Sequence, residues 1–200
     1  MNAVFDDMMN GDGASLKDLL THVVDVNEKQ NEPTKYTIAH LAALEGKLDI
    51  VTVVLAQDKI DLTVEDQDGR SPLHVAVLND RYWDITKQTY VSRGIVKLFL
   101  KAHADVTAVD HRKNTPLHVA VMQNDFDSIC LLLEFNASLN AVNADNETPK
   151  TLASQADERI RIYLNTTPPD EMTRVRGTYN ELESIQTINN VMATMLENMP

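Results

Sequence analysis

Apolar residues recur along this chain in short bursts at helical spacing, separated by turn-forming residues. In DIVTVVL, Ile50, Val51, Val54 and Leu55 fall on one helical face. ASLKDLL near the start reads similarly, and ERIRIYL (158–164) is a shorter version. NGDG and Asp68-Gly69 are turn signals between such segments. TTPP (166–169) breaks the pattern, because residues before proline avoid the helical region and two prolines stiffen the chain. Beyond it, Leu182, Ile185, Ile188, Met192, Met195 and Met199 form an amphipathic helical stripe.

The bursts belong to a repeat. DQDGRSPLHVAV begins at Asp66 and DHRKNTPLHVAV at Asp110, with motif histidines at His74 and His118. TIAHLAALEGKLDIVTVVL carries His40, and NADNETPKTLA places Thr151 at the same point. The spacings are 34 residues from His40 to His74 and 33 from His118 to Thr151. The step from His74 to His118 is 44, so about eleven residues are inserted there. A period near 33 headed by T-P-L-H-x-A resembles the ankyrin repeat over roughly residues 14–164.

That resemblance implies an all-α solenoid of about five helix-turn-helix units with β-turn fingers, followed by a C-terminal amphipathic helix. The units divide as 1–27 (a degenerate N-terminal cap), 28–65, 66–109, 110–142 and 143–164 (a C-terminal cap with Lys150 at an apolar position). A linker at 165–177 leads to the helix at 178–200. The insert RYWDITKQTYVSR (81–93) is expected to lengthen both helices of its unit or to form a loop.

Local chemistry fits this plan. Thr37, Ser71, Thr115 and Thr148 stand where a hydroxyl caps a helix, and Pro72 fits the first helical position. In the family, the motif histidine hydrogen-bonds locally and holds neighbouring units together, which assigns that role to His40, His74 and His118. Their recurrence about 10 Å apart in a stacked row does not suit one metal, whose ligands sit within about 2 Å. Asp58, His103 and Asn136 stand at or near the left-handed position that usually follows the second helix. Asn27 and Asn140 are expected to make turn hydrogen bonds. Cys130, between Ile129 and Leu131, reads as a packing or surface thiol.

Charge and composition narrow the function. The formal net charge of −12 argues against nucleic acid and anionic membranes and favours a basic or neutral protein partner. A single cysteine suggests a reducing compartment, cytoplasmic or nuclear. No secretory leader is visible in MNAVFDDMMNGD, and no apolar run is long enough to cross a bilayer. No phosphate-cradling loop, zinc spacing or nucleophile elbow is present, so neither cofactor nor catalysis is expected.

The leading expectation is a non-catalytic adaptor, scaffold or inhibitor that binds a protein. The alternatives are a targeting segment of a larger enzyme and a pathogen effector acting in a host cytosol. In the family, partners lie across the finger turns and the first helices. By position, the fingers carry Thr34, Tyr36, Gln67, Arg70, His111, Arg112, Asn114, Asp145 and Glu147. The first-helix surface carries Leu44, Glu45, Leu78, Asn79, Met122, Gln123 and Gln155. Leu44, Leu78 and Met122 occupy one repeated position and would form an apolar stripe rimmed by polar groups. In the insert, Tyr82, Trp83 and Tyr90 either contact a partner or pack beneath the helices. The tail helix is a candidate for self-association.

Overall fold

The computed structural model describes residues 25–29 and 34–166, and all that follows concerns those residues. The N-terminal cap through residue 24 and the tail helix lie outside them. Four helix pairs follow one another. They are α1 (Ile38–Glu45) with α2 (Leu48–Leu55), α3 (Pro72–Asn79) with α4 (Ile95–Lys101), α5 (Pro116–Met122) with α6 (Phe126–Glu134), and α7 (Pro149–Leu152) with α8 (Glu158–Thr166). A short 3-10 turn, Ala153–Gln155, links the last pair.

Packing is serial. The first helices form one row, α1 against α3, α3 against α5 and α5 against α7, and α2, α4 and α6 form a second. Between the rows lie Ile50, Leu73, Ile95, Phe99, Leu117, Ile129, Leu132, Ile160 and Leu164, all fully buried. The helices are only four to nine residues long, too short to be stable alone in water, so this burial is what holds them. Ile50, Val51 and Val54 are buried as their spacing predicts, Leu55 is half-buried, and Lys150 is exposed.

Polar groups fix the registry between units. The backbone N–H groups of Thr37, Ser71 and Thr115 donate to the histidine Nδ1 three residues on, at 3.2, 3.2 and 3.1 Å. Each Nδ1 is therefore an acceptor, and the ring proton sits on Nε2. From there it is donated to a backbone carbonyl of the following unit. His40 reaches Arg70 O at 2.9 Å, His74 reaches Asn114 O at 2.9 Å, and His118 reaches Glu147 O at 3.2 Å. At Thr151 the hydroxyl accepts the equivalent cap bond from Thr148 N–H at 2.7 Å.

Each finger turn has one left-handed residue: Lys35, Gly69, Lys113 and Asn146. At Gly69 the next finger packs so closely that a Cβ would lie 2.8 Å from His111 N, so glycine is required on two counts. After the second helices, His103 (φ 63°) and Asn136 (φ 69°) are left-handed as expected, whereas Asp58 is not. In the other two units the N–H after the left-handed residue returns to the helix, Ala104 to Phe99 O at 3.0 Å and Ala137 to Leu132 O at 2.9 Å, whereas after α2 Ile60 N–H closes a turn on Gln57 O at 3.1 Å. Asn27 bridges units, donating from Nδ2 to Lys59 O and accepting from Asp61 N–H, both at 2.8 Å. Asn140 donates its backbone N–H to Ser138 Oγ at 3.2 Å.

The insert is neither a helical extension nor an irregular loop, and the fold is therefore not purely helical. It is an antiparallel hairpin of β1 (Arg81–Asp84) and β2 (Thr89–Ser92), with Trp83 opposite Tyr90 and Tyr82 opposite Val91. The strands are rich in aromatic and β-branched residues. Asp84 Oδ1 closes the turn by accepting from the N–H and hydroxyl of Thr86 at 2.8 and 2.6 Å, and from Lys87 N–H at 3.2 Å. No helix among the described residues is long and apolar enough to cross a membrane.

Burial pulls His40, His74 and His118 below the ordinary histidine pKa. With folded values below the unfolded one, the neutral rings stabilise the fold fully above about pH 6.5, and this is lost as pH falls through the folded values. Replacing His74 by Gln is expected to cost about 1–3 kcal/mol at pH 7 in urea unfolding. The variant's deficit should shrink between pH 7 and 5. The buried Asp125 carboxyl, pushed up to about 6, acts in the opposite direction, so the difference between the two proteins isolates the ring. A deficit independent of pH would contradict the bridging role.

Candidate partner-binding surface

The finger tips are presented by a repeated acid or amide. Asp66 Oδ1 accepts from Asp68 and Arg70 N–H at 2.8 and 2.9 Å, and Asp110 Oδ1 from Arg112 and Asn114 N–H at 2.8 and 2.7 Å. Asn143 Oδ1 accepts from Asp145 and Glu147 N–H at 3.0 and 2.9 Å. Successive tips are then joined through the backbone. Gln67 N–H donates to Thr34 O at 3.1 Å, His111 N–H to Asp68 O at 3.0 Å, and Ala144 N–H to Arg112 O at 2.8 Å. The tips form a stacked row of pinned turns, which presents side chains at low entropic cost.

On that row Gln67, His111, Arg112 and Asp145 are exposed. Thr34, Tyr36, Arg70 and Glu147 are half-buried. Tyr36 stacks on His40, ring centroids 5.6 Å apart, and its hydroxyl accepts from Arg70 Nη2 at 3.4 Å. Arg70 also binds Asp66 and Asp68, each at 2.8 Å. Burial disfavours its charge, but those carboxylates carry it above the usual arginine value. Arg112 pairs with Asp145 of the next finger at 2.7 Å.

Asn114 departs from the expectation that it points to a partner. It is only 5% exposed, donates from Nδ2 to Asp110 Oδ2 at 3.1 Å and accepts from Asn143 Nδ2 at 3.0 Å. It is a rivet between two fingers.

The first-helix surface divides similarly. Leu44 and Met122 are 39% and 48% exposed, and Gln123 and Gln155 are exposed. Leu78, Asn79 and Glu45 are half-buried, and Asn79 donates back to Val75 O at 2.8 Å. The apolar stripe is thus open at Leu44 and Met122 and partly sunk at Leu78.

The hairpin aromatics do not lie beneath helices. Trp83 and Tyr90 are more than half exposed and meet edge to face at 5.2 Å, and Tyr82 is exposed beside them. Sequence reasoning missed exposed Ile85 at the hairpin turn and Leu48 at the head of α2. It also missed Val109 and Val142, both exposed. Those two stand 33 residues apart at one repeated position, and that recurrence could have revealed them.

The thiol of Cys130 packs against the core, and burial pushes it up to about 12, which keeps it protonated and poorly nucleophilic. Among the described residues no group of three His, Cys, Asp or Glu side chains could hold a metal ion.

Serially packed helix pairs with bridged fingers define a solenoid of the helix-turn-helix repeat class. A family model described as ankyrin repeats (3 copies) matches residues 1–87 and 89–165, and the chain belongs to the ankyrin-repeat family. It is similar to Neurogenic locus notch homolog protein 1 of Xenopus tropicalis and of Xenopus laevis, 30% identical over 147 residues in each case. Those matches cover 62% of this chain and 6% of either relative's length.

Substitution by alanine should separate the two kinds of finger residue. Asn114→Ala is expected to lower unfolding stability by about 1–3 kcal/mol through the unpaired Asn143 and Asp110 groups. Gln67→Ala should stay within about 0.5 kcal/mol of the parent. Equal effects in thermal and denaturant unfolding would contradict the assignment.

Proposed function

We propose that this chain is a non-catalytic module that holds a protein partner on its finger tips and first-helix ends, in an adaptor, scaffold or inhibitor role. The observation that carries this reading is the exposure of Leu44 and Met122 at one repeated position, with exposed Gln123 beside Met122. Apolar side chains held open on a rigid row, with polar neighbours, are what a partner can bury. Gln67, His111, Arg112, Asp145 and Glu147 supply the polar rim. Asn114 is set aside, since its side chain is taken up within the fold. The single protonated cysteine is consistent with a reducing compartment, cytoplasmic or nuclear.

A second reading is favoured by one finding. The chain matches 6% of the length of its curated relatives, so the same module serves within far longer polypeptides. In that reading it targets chemistry located elsewhere.

Affinity capture with mass spectrometry, run in parallel on Met122→Glu, tests the interaction reading. The variant should keep its unfolding stability within about 0.5 kcal/mol and lose about tenfold or more of the captured partner. Undiminished capture would move the binding surface elsewhere, and failure to fold would place Met122 in the core.

A further inference from the structure

The hairpin differs in charge from the rest of the molecule. Residues 81–93 hold Arg81, Lys87 and Arg93 against Asp84, a net of +2 in a chain of −12. Asp84 is committed to its own turn, with Lys87 Nζ 3.7 Å from it. Neither arginine makes a close ion pair among the described residues, although Arg81 shares a pocket with Asp125, Asp127 and Asp157 and its charge favours the ionised form of Asp125. Arg81 Nη1 donates to Gln123 O and Asn124 O at 3.2 and 2.7 Å, and its guanidinium lies 4.6 Å from the Tyr90 ring centroid. Arg93 Nη1 donates to Glu45 O at 3.1 Å and its guanidinium lies 5.6 Å from the Tyr82 ring centroid. The Arg93 Nε–H has no acceptor. At Arg93 a carbonyl and a ring orient the cation without neutralising it.

A shallow cleft of about 530 Å³ lies between the hairpin and the first helix pair, lined by Gly46, Leu48, Tyr82, Ser92 and Arg93. Its apolar wall is unusually open: Leu48 is 49% exposed and Tyr82 41%. Gly46 makes room for the cation, since a Cβ there would come within 2.7 Å of Arg93 Nη1. The cleft joins an aliphatic and aromatic wall to a guanidinium lacking an anion.

We infer that this cleft receives a segment of a protein partner in which an apolar side chain is flanked by carboxylates. The apolar group packs between Leu48 and Tyr82, and a neighbouring carboxylate approaches Arg93. This rests on the reading of the chain as a protein-binding module and departs, for this site, from the expectation of a basic or neutral partner drawn from net charge. The fold's acidity lies on the repeats; the hairpin is its cationic exception.

The test uses the full chain and two labelled synthetic peptides, followed by fluorescence anisotropy. One alternates leucine and phenylalanine with aspartate and glutamate. The other carries lysine at every acidic position. The acidic peptide should bind about tenfold or more tightly than the lysine peptide at low salt, with the advantage shrinking as salt rises. Leu48→Ser should weaken it about tenfold. Arg93→Gln should abolish the preference for acid and Arg93→Lys should restore most of it, with circular dichroism confirming that each variant is folded. The inference is overturned if the lysine peptide binds as well, if the acidic peptide shows no saturable binding, or if Leu48→Ser leaves its affinity unchanged. It is also overturned if sedimentation shows a dimer that Leu48→Ser dissociates, which would assign the cleft to a second copy. Loss of the peptide result alone removes the cleft, whereas loss of the capture result alone removes the first-helix surface.

Discussion

A neutral imidazole that reaches from the cap of one helix to the backbone of the next unit is the constraint on which the row depends. Each ring is fully buried and makes bonds on both sides, so it measures the distance and rotation between units as well as stabilising them. Hydrophobic contact between Leu73, Phe99 and Leu117 is strong but permits sliding, because apolar surfaces have little directional preference. A ring nitrogen aimed at a carbonyl 2.9 Å away does not. Thr151 shows the limit of the device: its hydroxyl keeps the cap bond, yet it is too short to span onward as a ring does.

This division of labour explains how a hairpin can be inserted without breaking the row. The His74 bridge lies at the finger end of α3, and the hairpin enters beyond the other end, so the two do not compete. Asp80 closes the base. Its Oδ1 accepts from Ile95 and Val96 N–H at 2.7 and 3.2 Å, capping α4 across the insertion, and its Oδ2 accepts from the Ser92 hydroxyl. Asp125 does the equivalent for α6 with no insert, accepting from Ser128 N–H and Oγ at 3.2 and 2.6 Å. An isolated two-stranded hairpin is marginal in water. Arg81 and Arg93 supply what it lacks, tying the strands to carbonyls of the units on either side.

The parts readable from sequence are those whose partner is local or recurs at a fixed step. The histidines, caps, buried Ile50 and Val54, and left-handed His103 and Asn136 all belong to that group. Asp58 misled because the chain after α2 closes a turn from Ile60 N–H to Gln57 O instead of folding back onto the helix, and one sequence does not display that choice. Asn114 misled for a different reason: its position is that of a finger tip, but its partner Asn143 lies 29 residues away. The hairpin escaped because RYWD and TYVS are too short to set a period, and the repeat around them argued for helix. Leu78 escaped because depth varies along a stripe even when position does not.

Charge pairing gives the two ends of the units opposite characters. At the fingers, cations meet carboxylates: Arg70 binds Asp66 and Asp68, and Arg112 binds Asp145. Such pairs satisfy one another, so at those residues the edge presents shape and hydrogen-bonding groups more than free charge. At the hairpin end, Arg81 faces Asp125, Asp127 and Asp157 across a pocket, whereas Arg93 is held by a carbonyl and an aromatic ring, which orient a guanidinium but leave its charge in place. Net charge therefore describes encounter at a distance but not what is recognised at contact. An acidic molecule with an unpaired guanidinium at Arg93 would repel most anionic surfaces until they turn toward that side of the hairpin, which makes orientation, rather than strength, the main consequence of the insert.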